Sequence, residues 1–207
     1  MRRDDLCDRQ NIEDRAMTQA VVGGALAPAF SILCETAHDE IEREALLDRV
    51  MGPKRRLKSS EALRRDRVPA EGLAFVARDA DGFMIGSVRL WDVRLGEGGP
   101  AALLLGPLAV EMALAGRGVG AALMRHALAE ARRLEHAAVL LVGDAAYYER
   151  FGFSASLTGA LAMPGPYEAE RFQALEFRPG VLAGASGTLE ASGRLIAARA
   201  GAHGLVV

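Results

Sequence analysis

Apolar runs with the length of β-strands alternate along the chain with segments whose apolar positions have helical spacing. The runs predict strands at 30–34, 73–77, 84–91, 101–110 and 137–142, with two more around 157–162 and 172–177. The spacing predicts helices at 39–51, 60–66, 118–134 and 144–151. Asp39, Ser60 and Asp144 stand where N-cap side chains are favoured. The order β-α-α-β-β-β-α-β-α-β-β predicts an α/β (α+β) fold with a mixed sheet.

Two features indicate how that sheet is arranged. A short turn at 79–82, rich in Asp and Gly, joins the second and third strands as a hairpin. Gly106 and Pro107 interrupt the long strand 101–110, and proline cannot donate to a sheet ladder. We therefore expect a bulge or a split in the sheet at this point, beside the parallel pair that the helix 118–134 connects. The expected fold is a splayed central sheet flanked by helices.

The chain divides into a central domain and two terminal segments. We expect a flexible N-terminal tail at 1–28, a domain at 29–180 and a loosely ordered, Gly/Ala-rich tail at 181–207. The apolar stretch 20–34 follows an acidic segment and is broken by Gly23, Gly24 and Pro28, which suits neither a secretory signal nor a membrane span. A cytoplasmic protein is expected, and Met17 is a second candidate for the start of translation.

Charge and metal-ligand chemistry exclude several classes of function. The net charge of −2 gives no basic face for nucleic acid, and the basic cluster at 54–58 is interpreted as a solvated loop or helix end. Cys7 and Cys34 form no disulfide framework, and Cys34 is expected to be buried in its strand. The four histidines are scattered, so no metal is expected.

A cluster of glycines opens the longest predicted helix. Gly116, Gly118 and Gly120 alternate with other residues where strand 101–110 gives way to helix 118–134. Helix N-termini present unpaired amides and partial positive charge, and glycines let a phosphate approach the backbone. The cluster lacks the Lys-Ser/Thr pair of a P-loop and the acidic partner of a dinucleotide-binding fingerprint. By itself it indicates a phosphate site or simply a tight loop.

A second motif narrows the choice. The segment Gly143-Asp144-Ala145-Ala146-Tyr147-Tyr148-Glu149-Arg150-Phe151-Gly152-Phe153 follows the next strand. Together with the glycine cluster, it resembles the GNAT superfamily of N-acetyltransferases, in particular a bacterial branch of predicted acetyltransferases. The resemblance extends over about residues 29–179.

The resemblance implies a site for acetyl-CoA as co-substrate. In this interpretation residues 116–121 hold the pyrophosphate, the backbone of strand 101–110 pairs with pantetheine, and Tyr148 protonates the leaving thiolate. The expected cofactor-binding residues are Leu108, Ala109, Val110, Gly116, Arg117, Gly118, Val119, Gly120, Ala121 and Asp144. A backbone N–H at Leu108 or Val110 is also expected to stabilise the oxyanion.

Four positions leave alternatives open. Ala115 stands where the family usually has Arg or Gln, which predicts weaker phosphate binding. Asp144 is either a helix cap or a pantetheine partner. Glu111 is the nearest candidate base, or a solvated carboxylate at a strand end. Of the adjacent Tyr147 and Tyr148 one is expected to be structural, and family position favours Tyr148 as the acid.

These observations predict an acyl-CoA-dependent N-acyltransferase that acts by direct attack of an amine. A non-catalytic CoA-binding or sensory module on the same fold is the alternative, and transfer to hydroxyls or of longer acyl chains also stays open. The acceptor is expected to be a small-molecule or protein amine that contacts residues 52–69, the hairpin loops and the final strands. Exchange of the final strand makes a homodimer plausible.

Overall fold

A seven-stranded mixed sheet forms the centre of the protein in this computed structural model, which describes residues 30–196. The sheet order is β1-β2-β3-β4-β5-β7, and β9 pairs with part of β3. The pair β4–β5 is parallel, and the other pairs of this sheet are antiparallel. Its strands are β1 (Phe30–Cys34), β2 (Ala74–Asp79), β3 (Met84–Arg94), β4 (Ala101–Val110), β5 (Ala138–Val142), β7 (Phe172–Glu176) and β9 (Glu190–Ala191).

Four α-helices and a small second sheet complete the described part of the chain. The helices are α1 (Glu40–Met51), α2 (Ser59–Ala62), α3 (Val119–Arg133) and α4 (Ala145–Tyr148). Strands β6 (Ala160–Ala162) and β8 (Ser186–Thr188) pair in parallel as the second sheet. In the described residues no helix combines the length and the apolar character needed to cross a bilayer.

The helices cover opposite faces of the main sheet. Helix α3 packs its buried residues, Val119, Leu123, Met124, Ala127 and Ala131, into a core with Phe75 and Leu103. Helix α1 packs Leu46 and Leu47 against Val76 on the other side. Because successive strand residues point to opposite faces, Phe75 packs in the layer with α3 and Val76 in the layer with α1. We call these sides the α3 face and the α1 face; Leu63, just after α2, belongs to the apolar core on the α1 face.

The parallel pair at the centre of the sheet separates soon after it forms. Leu103 pairs with Val139 and Leu104 with Leu140, and the ladder ends there. The β3–β4 register shifts between Val88 and Leu90, opposite Gly106 and Pro107. The indole Nε1 of Trp91 donates a 2.6 Å hydrogen bond to the Gly106 carbonyl and anchors the irregular backbone. The structure therefore contains both the bulge and the split that Pro107 predicts.

Most predicted elements are confirmed, but two predicted caps are wrong. The carboxylate of Asp39 accepts from the Thr36 amide (2.6 Å) and hydroxyl (2.8 Å), which closes a 3₁₀ turn before α1. Helix α2 begins at Ser59 and spans four residues, so Ser60 does not cap it. Asp39 stands at the N-cap position of α1, but its side chain bonds back to Thr36 and not to the helix. Ser60 lies inside α2, whose N-cap residue is Lys58.

Residues 181–196 pack against the domain, contrary to the expectation of a loosely ordered tail. Leu182 and Leu189 are buried in the core of the α1 face, and β9 pairs with Val93 and Arg94 of β3. Cys34 is buried, as expected. The proposed N-terminal tail and the alternative start at Met17 lie outside the described residues.

Candidate active site

A cleft of about 440 Å³ opens where β4 and β5 separate. Residues 104–108 of β4 form one wall, and residues 141–144 at the end of β5 form the other. Tyr147 and Tyr148 of α4 close one end, and residues between 51 and 64 contribute from the α1 face. The gap between β4 and β5 is therefore lined by polar and charged side chains from α4 and from residues 51–64.

The edge of β4 presents backbone amides to this cleft. Glu111 donates its amide to the Ile85 carbonyl of β3, at 2.9 Å. Because N–H direction alternates along a strand, the amides of Leu108 and Val110 point to the opposite side, toward β5. The ladder to β5 has already ended at Leu104, so these two amides face the gap. Ala109 pairs with Ser87 of β3 and has its buried side chain on the α1 face.

The N-terminus of α3 offers a second set of amides. Ala122 makes the first helical bond, to the Gly118 carbonyl at 2.9 Å. Among the described residues no backbone acceptor bonds the amides of residues 118–121. Gly116 (φ +77°) and Gly118 (φ +88°) adopt left-handed conformations that strain other residues. The amide of Arg117 donates to the Leu114 carbonyl at 3.1 Å, so only its exposed side chain can serve an anion.

Tyr148 lies flat against the backbone at the end of β5. A Cβ added to Gly143 would stand 2.1 Å from the Tyr148 ring, so this close contact requires glycine. Phe153 contacts the same ring edge-on, with centroids 6.1 Å apart. Burial, followed by the charges of Tyr147 and Asp144, raises the pKa of Tyr148 to about 12, although Arg171 acts in the other direction. The phenol therefore keeps its proton at neutral pH.

Tyr147, which the sequence analysis assigned no chemical role, also lines the cleft. Its hydroxyl lies 2.9 Å from the place that a Cβ on Gly120 would occupy, so the tyrosine reaches the first turn of α3. The guanidinium of Arg150 stacks over its ring, 4.1 Å from the centroid. The only sequence signal for this role was its position next to Tyr148.

Asp144 and Glu111 have clear partners in the structure. The Oδ1 of Asp144 accepts from the Tyr147 amide at 3.1 Å and caps α4, while the residue also lines the cleft. Glu111 forms an ion pair with Arg49 of α1 and is not among the residues that line the cleft. The structure therefore does not bring Glu111 to Tyr148, because α1 places a cation beside the end of β4.

The basic segment interpreted as a solvated loop is in part built into the protein. Arg55 is buried, with 7% of its surface exposed, and lines the cleft together with Lys58. Arg64 and Arg171 add two more cations that the sequence analysis did not single out. No group of three or more His, Cys, Asp and Glu side chains within residues 30–196 is arranged to hold a metal ion.

Comparisons with known proteins agree with this geometry. Residues 70–155 match the family described as acetyltransferase (GNAT) domain. The GNAT family N-acetyltransferase YhbS from Escherichia coli, solved in complex with CoA, is similar with a TM-score of 0.69 and 28% identity, covering 83% of this chain and 94% of that one.

A second solved structure supports the same assignment. A GNAT family acetyltransferase from Brucella melitensis, in complex with acetyl-CoA, has a TM-score of 0.53 and 28% identity, over 73% of this chain and 90% of that one. No curated protein matches the chain. In its sheet, its split and the match over residues 70–155, the chain resembles the acetyltransferase domains of the GNAT superfamily.

Proposed function

We propose that the protein is a cytoplasmic N-acetyltransferase that moves an acetyl group from acetyl-CoA to a primary amine. The observation that carries this proposal is the gap between β4 and β5, which has unpaired amides on one edge and the protonated Tyr148 on the other. The similar proteins YhbS and the Brucella acetyltransferase were solved with CoA and acetyl-CoA, which supports the same ligand class here.

The two sets of amides fit the two ends of acetyl-CoA. The unbonded amides of residues 118–121, at the positive end of α3, suit the pyrophosphate. The amides of Leu108 and Val110 suit pantetheine, whose own amides pair with a strand edge as another strand would. This arrangement directs the thioester into the gap, beside Tyr148.

The reaction needs little more than positioning and one proton donor. The neutral amine attacks the thioester carbon, the C–N bond forms, and the C–S bond breaks with its electron pair on sulfur. A β4 amide stabilises the oxyanion, and the Tyr148 hydroxyl supplies a proton to the leaving sulfur. The amine loses its extra proton to water, since Asp144, the carboxylate that lines the cleft, is occupied as a helix cap. Water returns a proton to the Tyr148 phenolate, whose pKa of about 12 favours the protonated form, and the cycle closes.

The test is CoA release, followed with a thiol reagent over a panel of primary amines, in wild type and Tyr148→Phe. We expect turnover to fall about 10²- to 10⁴-fold in Tyr148→Phe while CoA binding is retained, because only the proton donor is removed. Tyr167→Phe is the matched control: Tyr167 packs against Phe172 outside the cleft, and its variant keeps full turnover. Equal rates in the two variants would remove Tyr148 from the mechanism.

A non-catalytic CoA-binding module is the second candidate. The ion pair between Glu111 and Arg49 favours it, because that pair leaves the candidate base outside the cleft. CoA-induced stabilisation without turnover of any amine in the panel would establish this alternative.

A further inference from the structure

The charges that line the cleft are strongly unbalanced. Four of its residues are Arg or Lys, and one, Asp144, is acidic. Asp144 sits at the β5 end, whereas three of the four cations come from residues 51–64 on the α1 face. A protein with a net charge of −2 has therefore concentrated positive charge on one side of its candidate active site.

Arg55 is the one cation of the four that forms ion pairs with two carboxylates. Its Nε donates to Asp48 at 2.8 Å, and a terminal nitrogen donates to Glu44 at 2.5 Å. Burial alone lowers the pKa of Arg55, but the hydrogen bonds and charges of Glu44 and Asp48 outweigh it and raise that pKa. Arg55 therefore fixes the 3₁₀ segment Pro53–Leu57 to α1 and is not available to a ligand.

The other three cations keep binding capacity. Lys58 has no ion pair among the described residues, and it is exposed at the cleft. Arg64 uses only Nε, in a 2.7 Å bond to Glu61, although its side chain is just 9% exposed. Arg171 lies 3.7 Å from Glu168, beyond hydrogen-bond distance. A guanidinium that is largely buried with its terminal nitrogens unpaired suits a bidentate anion.

These cations are separated from the site suited to the cofactor phosphates. Residues 118–121 begin α3 on the α3 face and are not among the residues that line the cleft. Lys58 and Arg64 do line it, and Arg64 follows Leu63 of the core on the α1 face. Arg171 immediately precedes β7 at the end of the sheet, where its carbonyl accepts from the Gly143 amide. The same cleft therefore holds these cations and Tyr148, and Arg171 is close enough to act on the pKa of the Tyr148 phenol.

We propose that the acceptor is a primary amine that also carries an anionic group, a carboxylate or a phosphate, which Lys58, Arg64 and Arg171 bind at the α1-face side of the cleft. This inference rests on the proposed acetyltransferase function. The anion orients the acceptor so that its amino group points toward the gap between β4 and β5. Charge-assisted bonds from two or more cations give selectivity against neutral amines of the same shape.

Matched pairs of amines test the selectivity. We compare β-alanine with its alcohol analogue, and phosphoethanolamine with ethanolamine, at saturating acetyl-CoA. We expect kcat/KM to be at least about tenfold higher for the anionic member of one pair, because that member gains a charge-assisted hydrogen bond. The pair with the larger ratio identifies carboxylate or phosphate as the preferred anion.

Variants then locate the anion site. Lys58→Gln and Arg64→Gln are each expected to raise KM for the anionic acceptor about tenfold, and to leave KM for the neutral analogue and the affinity for CoA unchanged. Lys54→Gln and Arg65→Gln remove the same charges at exposed neighbouring positions outside the cleft, and serve as controls that leave every constant unchanged. Using two variants guards against a folding defect in one of them.

The outcomes separate this inference from the function on which it rests. Equal kcat/KM within both pairs rejects the anionic acceptor and leaves the acetyltransferase standing. Weaker CoA binding in Lys58→Gln and Arg64→Gln also rejects it, because the cations would then hold a cofactor phosphate. No turnover of any amine, with CoA still bound, rejects the proposed function and this inference together.

Discussion

Two parts of the candidate active site are built from different groups, one from backbone amides and one from side chains. On the α3 face, the candidate phosphate site consists of backbone amides at residues 118–121, shaped by glycines that lie next to one another in sequence. The candidate acceptor site consists of long side chains from separate segments, with Lys58 and Arg64 near α2 and Arg171 just before β7. The first site needs no particular side chain, and the second depends entirely on side chains.

Because of this difference, the side chains of the acceptor site can be exchanged without altering the phosphate site. Backbone amides at a helix N-terminus bind any phosphate in the same way, whatever residue follows in the chain. A set of charged side chains can be exchanged without changing the sheet, so it can set acceptor choice independently. The four predictions below test that division of roles, beginning with the largest effect.

Gly120→Glu is expected to weaken CoA binding about a thousandfold. A new carboxylate about 4 Å from a phosphate charge costs about 4 kcal/mol near a protein surface, and the added Cβ also displaces the Tyr147 hydroxyl. Calorimetric titration with CoA measures the loss. Ala129→Glu adds the same charge at an exposed position far along α3 and keeps wild-type affinity. Retained CoA affinity in Gly120→Glu would show that the phosphate binds elsewhere.

Arg55→Met is expected to lower the free energy of unfolding by about 3 kcal/mol, because it leaves Glu44 and Asp48 without their buried partner. Arg56→Met is the control: Arg56 is exposed and lies 3.6 Å from Glu44, so its loss costs less than about 1 kcal/mol. Urea unfolding measures both. Equal stabilities would mean that Arg55 does not anchor the α1 side of the cleft.

Tyr148 is expected to resist ionisation at high pH. Because its pKa is raised to about 12, only about one tenth of the Tyr148 side chain is ionised at about pH 11. An ordinary tyrosine, with a pKa of about 10, is mostly ionised at that pH. The difference in tyrosinate absorbance between wild type and Tyr148→Phe measures this fraction. Because the folded-state pKa is the higher one, the associated stability is complete below about pH 10 and is lost as the pH rises toward 12. A midpoint near 10 would mean that the hydroxyl is solvated.

Asp144→Ala gives the smallest expected effect, a loss of about 1 kcal/mol of stability, because the cap on the Tyr147 amide disappears. Asp144→Ser restores a capping oxygen and recovers most of that stability. Thermal unfolding and CoA titration on both variants separate two roles. Weak CoA binding in Asp144→Ser despite recovered stability would establish Asp144 as a cofactor contact in addition to a cap.

Local signals explain which parts of this structure could be predicted. Helix α3 was predicted within a residue of its bounds, because Gly118 starts it and its buried residues repeat at helical spacing. Pro107 revealed the break in β4, since a residue without an amide hydrogen cannot continue a ladder. The 181–196 segment was misjudged, because only contact with β3 and the α1-face core shows that its few apolar residues are buried.

The amino-acid sequence alone determined the order of elements along the chain, the mixed sheet and its split, because each depends on residues close together in the chain. It also predicts the backbone phosphate site, from glycines that are neighbours in sequence. Tertiary structure decided which side chains share the cleft. It paired Glu111 with Arg49, brought Tyr147 against α3, buried Arg55 and placed Lys58 and Arg64 beside a gap formed by residues far from them in sequence. Electrostatic partners are set by distance in space, and no periodicity along the chain encodes that distance.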